Sequence, residues 1–135
     1  MGRAYSIEGN VIKGQGIGKN ELVPTVNISV CDFLLPPNGV YATKCSINNK
    51  VYNSVTFIGI RESTDGCFSI ETHIIDKEIK SVGKNVEIFF YKKIRDNKKF
   101  NSLKELKEQI KKDIKMAKEI LNETFHYFYQ NHKQG

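Results

Sequence analysis

Residues 39–59 read GVYATKCSINNKVYNSVTFIG, and this stretch decides the fold class. Its two halves, 39–47 and 51–59, are rich in Val, Ile, Tyr, Thr and Phe, residue types that suit a pleated, half-buried surface. Between them stand Asn48 and Asn49, and Asn tolerates the left-handed backbone conformation that a tight hairpin turn requires. A β-hairpin is predicted. Pro36, Pro37, Asn38 and Gly39 mark a further turn just before it.

Working outward, similar runs recur at 6–13, 25–31, 67–75 and 84–92, separated by Gly, Asn, Asp and Pro. Six short strands with this punctuation are the signature of a sandwich or barrel. In the last run Val86, Ile88 and Phe90 alternate with Glu87, Phe89 and Tyr91, and a closed barrel would turn the apolar set inward. After residue 100 the period changes. Leu103, Leu106, Ile110, Ile114, Ala117 and Leu121 recur at three- and four-residue spacing, while Lys104, Lys107, Glu108, Lys111, Lys112 and Lys115 fill the opposite side. This predicts an amphipathic helix over about 102–122. Ser102 and Glu105 form a capping box, each side chain satisfying a backbone N–H left over at the helix start. The aromatic tail of Phe125, Tyr127, Phe128 and Tyr129 is expected to pack back on the domain. The expected architecture is mainly β: a small barrel over about 5–92 carrying one long C-terminal α-helix, with no internal repeat and no linker.

At 135 residues the chain has the size of one domain, and 39% hydrophobic with 27% charged residues suits a folded core. Cys31, Cys45 and Cys67 are odd in number and form no CxxC pair, which reads as reduced thiols and a cytoplasmic location. No stretch approaches a membrane span, and the N-terminus lacks the apolar core of a secretion signal. The formal charge is +6, but the excess is local. Residues 77–118 hold 14 basic and 6 acidic side chains. That segment reads as a solvated helix face, or as an attractor of a phosphorylated ligand or of nucleic acid.

Three short motifs carry possible chemistry. Gly14, Gly16 and Gly18 with Lys19 follow a candidate strand, and glycines so placed let backbone N–H groups approach phosphate oxygens; the plain alternative is a turn. The run is not a Walker A loop. Thr25 and Asn27 point to one side of an extended segment, where a hydroxyl and an amide oxygen could hold a hard cation bridging nucleotide phosphates, or could be an ordinary polar strand face. Glu71, His73 and Ile75 share one side of a strand, with Glu71 a candidate general base and the alternative a solvent-facing carboxylate. No Ser/His/Asp set, metal-ligand cluster or paired carboxylates compete with it.

The order of these pieces carries a resemblance. YSIEGNVIKG (5–14), Gly18-Lys19, PTVN (24–27), LPPNGVYA (35–42), ETHIID (71–76) and KIRD (93–96) with Lys99-Phe100 and Ser102-Leu103 follow one another over about residues 3–118. The sequence resembles the riboflavin kinase family, in particular the C-terminal kinase module of the bacterial bifunctional riboflavin kinase/FAD synthetase. The resemblance implies a six-stranded Greek-key β-barrel with a C-terminal helix. It implies transfer of the γ-phosphate of ATP to the 5′-hydroxyl of riboflavin, giving FMN and ADP with Mg2+. By the same resemblance Gly14, Gly16, Gly18 and Lys19 belong to the nucleotide loop, Thr25 and Asn27 to the magnesium site, and Glu71 is the base. Arg95 and Asp96 belong to a loop, about 93–101, that closes over the flavin and is supported by the helix. Such a minimal set is sufficient for phosphoryl transfer, which needs positioning and charge neutralisation more than covalent chemistry.

The chain departs from the family pattern in two places. Lys19, Glu21, Leu22 and Val23 stand where the family shows Arg and then Leu-Gly-aromatic, which is expected to weaken ATP binding. Phe57 and Glu62 stand where it shows Asn and Pro, while Gly59 and Arg61 persist. Two rival readings follow: a flavin- or nucleotide-binding module with weakened catalysis, and a small basic barrel binding nucleic acid, which the placement of the charge disfavours. The partners expected are riboflavin/FMN and ATP/ADP, with no membrane. A monomer is expected, or a module fused to an adenylyltransferase domain in a longer protein, with 135 residues leaving no room for FAD synthesis.

Overall fold

A computed structural model describes residues 5–12, 26–29, 35–61, 66–77 and 85–132. It contains strands β1 (Tyr5–Ile12), β2 (Val26–Ser29), β3 (Gly39–Ile47), β4 (Lys50–Ile60), β5 (Phe68–Ile74) and β6 (Asn85–Arg95), followed by one helix, α1 (Leu103–His132). Asn48 and Asn49 adopt φ values of 52° and 67°. The predicted hairpin forms, and β3 pairs with β4 along its whole length.

All the pairings are antiparallel, and the strands close on themselves in the order β1-β2-β5-β4-β3-β6, with β6 returning to β1. The connections from β2 to β3 and from β5 to β6 each pass over two strands, so the barrel is of Greek-key type, as expected. Because side chains alternate across each strand, one set lines the interior. Ile7, Ile28, Tyr41, Cys45, Ile47, Ile58, Ile70, Ile74, Val86, Ile88 and Phe90 form that core. Each large aliphatic side chain removed from water contributes about 1.5–3 kcal/mol. Burial also pushes the Cys45 thiol up to about 12, leaving it a protonated core side chain.

The interior is not wholly apolar. Thr43, Ser54, Thr56 and Thr72 are fully buried. Their hydroxyls form a chain across three strands, Ser54 to Thr43 at 2.7 Å, Thr43 to Thr56 at 2.9 Å and Thr56 to Thr72 at 2.9 Å. A buried hydroxyl without a partner is costly, and here each finds at least one.

The helix lies on the outer surface of β3, β4 and β6. Ala42, Val55 and Ile94 of the barrel, with Ile75 from the turn after β5, pack against Ile114, Ala117, Ile120 and Leu121. The N-cap forms as predicted, with the Glu105 N–H donating to Ser102 Oγ at 3.2 Å. Glu105 Oε1 accepts from the backbone N–H of Asn101, one residue earlier than the simple capping box requires. Two boundaries differ from the sequence reading by three residues or more. The helix continues to His132, ten residues past its expected end; the side chains of the aromatic tail lie outside the described residues. Strand β6 continues to Arg95, because two register shifts against β3 let Lys92 and Lys93 remain in the ladder while facing solvent.

Candidate functional site

Strand β2 supplies the shortest piece of the barrel and one of its key groups. Ile28 is core and Val26 packs against the core, so Asn27 between them faces outward. The antiparallel register sets Asn27 opposite Glu71 of β5. Directly opposed residues have Cα atoms roughly 4.5–5.5 Å apart and share a face of the sheet. Two residues far apart in sequence thus become neighbours on the outer surface. Phe57 of β4 stands opposite Glu71 on the other side, completing the row Asn27, Glu71, Phe57.

Glu71 is held. Its side chain is 16% exposed, and its Oε2 accepts a hydrogen bond from Ser69 Oγ at 2.6 Å and one from Arg61 Nη1 at 3.4 Å. The first has the length of a charge-assisted O–H to carboxylate bond. The second is a longer contact that mainly supplies opposite charge. Arg61 begins the β4–β5 turn, where its N–H donates to the Cys67 carbonyl and its own carbonyl accepts from the Gly66 N–H. His73 shares the outward face with Glu71, opposite Val55, whereas Ile75 lies past the strand end beneath the helix.

The segment after β6 is drawn toward this group. Asn97 Nδ2 donates to the Ile58 carbonyl at 3.0 Å, and the amide lies over Gly59. A Cβ on Gly59 would meet Asn97 Nδ2, and its φ of +147° also favours glycine. Gly59 is paired with Ser69. The 93–101 segment is therefore fastened one strand away from the hydroxyl that holds Glu71.

Arg95 and Asp96 are placed differently. Arg95 is paired with Val40, which is paired with Phe57, so it lies three strands from Glu71, about 14 Å along the sheet. Its Nε and Nη2 grip Asp113 of the helix at 2.8–3.1 Å, and Asp113 also accepts from Gln109. Arg95 ties the barrel to the helix. Asp96 is exposed and paired with Lys93; the hydrogen bond holds the Asp96 carboxyl below and the Lys93 ammonium above their ordinary pKa values. The lysines at 104, 107, 111, 112 and 115 occupy the exposed face of α1, as a solvated helix face would. A groove of about 520 Å3 lies between Pro36-Pro37 and Phe90–Lys93, on the β3–β6 side of the barrel rather than at Glu71.

Gly14, Gly16, Gly18, Lys19 and Thr25 lie outside the described residues, as do Glu21, Leu22 and Glu62. Among the described residues no group of three or more His, Cys, Asp or Glu could hold a metal. The donor set nevertheless suits Mg2+. That ion keeps several waters and takes one or two protein oxygens together with substrate phosphates, and the outward Asn27 amide offers one oxygen of that kind.

Sequence reading passed over Ser69, Asn97 and Asp113. Asp113 left a signal, because it falls three residues after Ile110 on the apolar stripe and a charge there needs a partner. Ser69 also left one, two residues before Glu71 on the same strand face. Asn97 left none, since its partner is a backbone carbonyl.

Comparison with known proteins bears on the family and the fold. Residues 1–121 match the family described as riboflavin kinase. The bifunctional riboflavin kinase/FMN adenylyltransferase of Buchnera aphidicola subsp. Acyrthosiphon pisum is 42% identical over 126 residues, which cover 90% of this chain and 40% of that protein. The chain spans about two-fifths of the length of the curated relatives it matches. A Streptococcus pneumoniae chain solved as a macrolide-efflux protein superposes with a TM-score of 0.74 at 27% identity, over 85% of this chain and 38% of that one. The riboflavin kinase of Trypanosoma brucei superposes with a TM-score of 0.63 at 20% identity, over 98% of this chain and 88% of that one, a likeness of fold.

Proposed function

Because the chain belongs to the riboflavin kinase family, we propose that it transfers the γ-phosphate of ATP to the 5′-hydroxyl of riboflavin, giving FMN and ADP, with Glu71 as general base. The observation that carries this reading is the register of Asn27 against Glu71. It juxtaposes a metal-ligating type of oxygen and a carboxylate without a covalent nucleophile, the minimal equipment of phosphoryl transfer.

In this mechanism Glu71 accepts the proton of the riboflavin hydroxyl as that oxygen attacks the γ-phosphorus and the bond to the β-phosphate oxygen breaks. Asn27, with Thr25, would hold Mg2+, which when bound neutralises charge on the phosphates. Gly14, Gly16, Gly18 and Lys19 would cover the nucleotide. The 93–101 segment, fastened by Asn97 to β4, closes on the flavin and excludes water. Arg95 serves that closure through Asp113, by fixing where the segment leaves the sheet.

The test is FMN formation from riboflavin and Mg-ATP. Glu71→Gln is expected to lower kcat by roughly a hundred- to ten-thousand-fold, the usual contribution of a positioned base, while riboflavin still quenches on binding. Full activity in Glu71→Gln would remove the assignment. A second reading has one observation in its favour: half-buried Phe57 stands opposite Glu71 on the outer face. If that ring crowds the substrate, the protein is a flavin-binding module with weak turnover, and Phe57→Asn raises kcat.

A further inference from the structure

We infer that Ser69 is a positioning residue for Glu71, setting the orientation of the carboxylate from which the base acts. The inference rests on Glu71 being the base. Ser69 and Glu71 lie two apart in β5 and share its outward face, so the hydroxyl meets the carboxylate without bending the strand. The Ser69 Oγ to Glu71 Oε2 distance of 2.6 Å is that of a strong charge-assisted bond.

Among the described residues, the two donors to Oε2 that are placed by distance do different things. Arg61 Nη1 at 3.4 Å is longer than a well-formed N–H to oxygen bond and cannot dictate the carboxylate's rotation. Ser69 is close enough to do so, and it is neutral. Ser69 keeps its own proton throughout.

The surroundings favour a fixed Ser69. Its strand neighbour is Gly59, over which Asn97 is docked with a hydrogen bond to the Ile58 carbonyl. One contiguous set of groups therefore links the middle of the 93–101 segment to the carboxylate: Asn97, Gly59, Ser69, Glu71. Closure of that segment and orientation of the base share a support.

The test compares Ser69→Ala and Ser69→Thr with the parent in steady-state FMN formation, with Glu71→Gln assayed in parallel. Ser69→Ala is expected to lower kcat by roughly tenfold to a hundredfold, as a misplaced catalytic group does, with KM for riboflavin and for Mg-ATP changed less than about twofold. Ser69→Thr, which keeps the hydroxyl in a residue at home in strands, recovers most of kcat. Thermal melts of both variants near the parent's exclude unfolding as the cause. An unchanged kcat in Ser69→Ala, a loss confined to KM, or a Thr variant as slow as the Ala variant overturns the inference. If Glu71→Gln keeps parental kcat, it is the base assignment that fails. If Glu71→Gln is inactive and Ser69→Ala is not impaired, the base stands and the positioning role falls.

Discussion

The barrel has two unlike flanks. On the β3–β6 side, Ala42, Val55 and Ile94 are sealed beneath α1, and the buried carboxylate there, Asp113, is saturated by Arg95 and Gln109. On the β2–β5 side no helix covers the sheet among the described residues, and Glu71 Oε2 accepts from Ser69 and, at longer range, from Arg61. The difference teaches how one barrel treats two carboxylates. Asp113, gripped by a guanidinium in two places, braces barrel against helix, whereas Glu71, held by a hydroxyl and at longer range by Arg61, faces outward beside Asn27.

Perturbing the braced flank should have the largest effect on stability. Asp113→Ala leaves Arg95 facing the helix without its counter-ion and is expected to cost about 3–5 kcal/mol, read from urea unfolding. If kcat of the remaining folded protein also collapses, the two flanks are less independent than their packing implies. Gly59→Ala tests the seam between them. The added Cβ displaces Asn97, and the backbone there is unfavourable for alanine, together costing about 1–3 kcal/mol. Here KM for riboflavin should rise more than kcat falls, as measured by titrating substrate. Ser102→Ala, at the far start of the helix, is expected to cost only about 1 kcal/mol and to leave FMN formation intact.

Much of the fold was legible because it is written in local patterns. Val86, Ile88 and Phe90 announced an inward face, Asn48 and Asn49 a hairpin, and Ser102 with Glu105 a helix start. Boundaries failed where tertiary pairing overrode composition. Lys93, Ile94 and Arg95 look like a loop, yet β3 keeps Lys93 and Arg95 in the ladder across two register shifts. Of the proposed site, the individual residues Asn27 and Glu71 were legible, but their adjacency was not, since nothing local says which strands pair across a Greek key. The tie from Arg95 to the helix was illegible for a related reason: its partner, Asp113, is eighteen residues on and in another element.

The hydroxyl chain inside the barrel bears on how accurately the outer row is aligned. Thr43, Ser54, Thr56 and Thr72 meet only if β3, β4 and β5 keep their observed offsets. A slip of one residue along any of these strands would turn its hydroxyls to the outside and bring Lys44, Asn53 or Glu71 into the apolar interior. The chain therefore works as an internal ruler. Thr72, its last mark, adjoins Glu71 in sequence and stands opposite Val26, the residue before Asn27. A gauge buried at the centre of the molecule thereby sets the alignment of Glu71 with Phe57 on its surface.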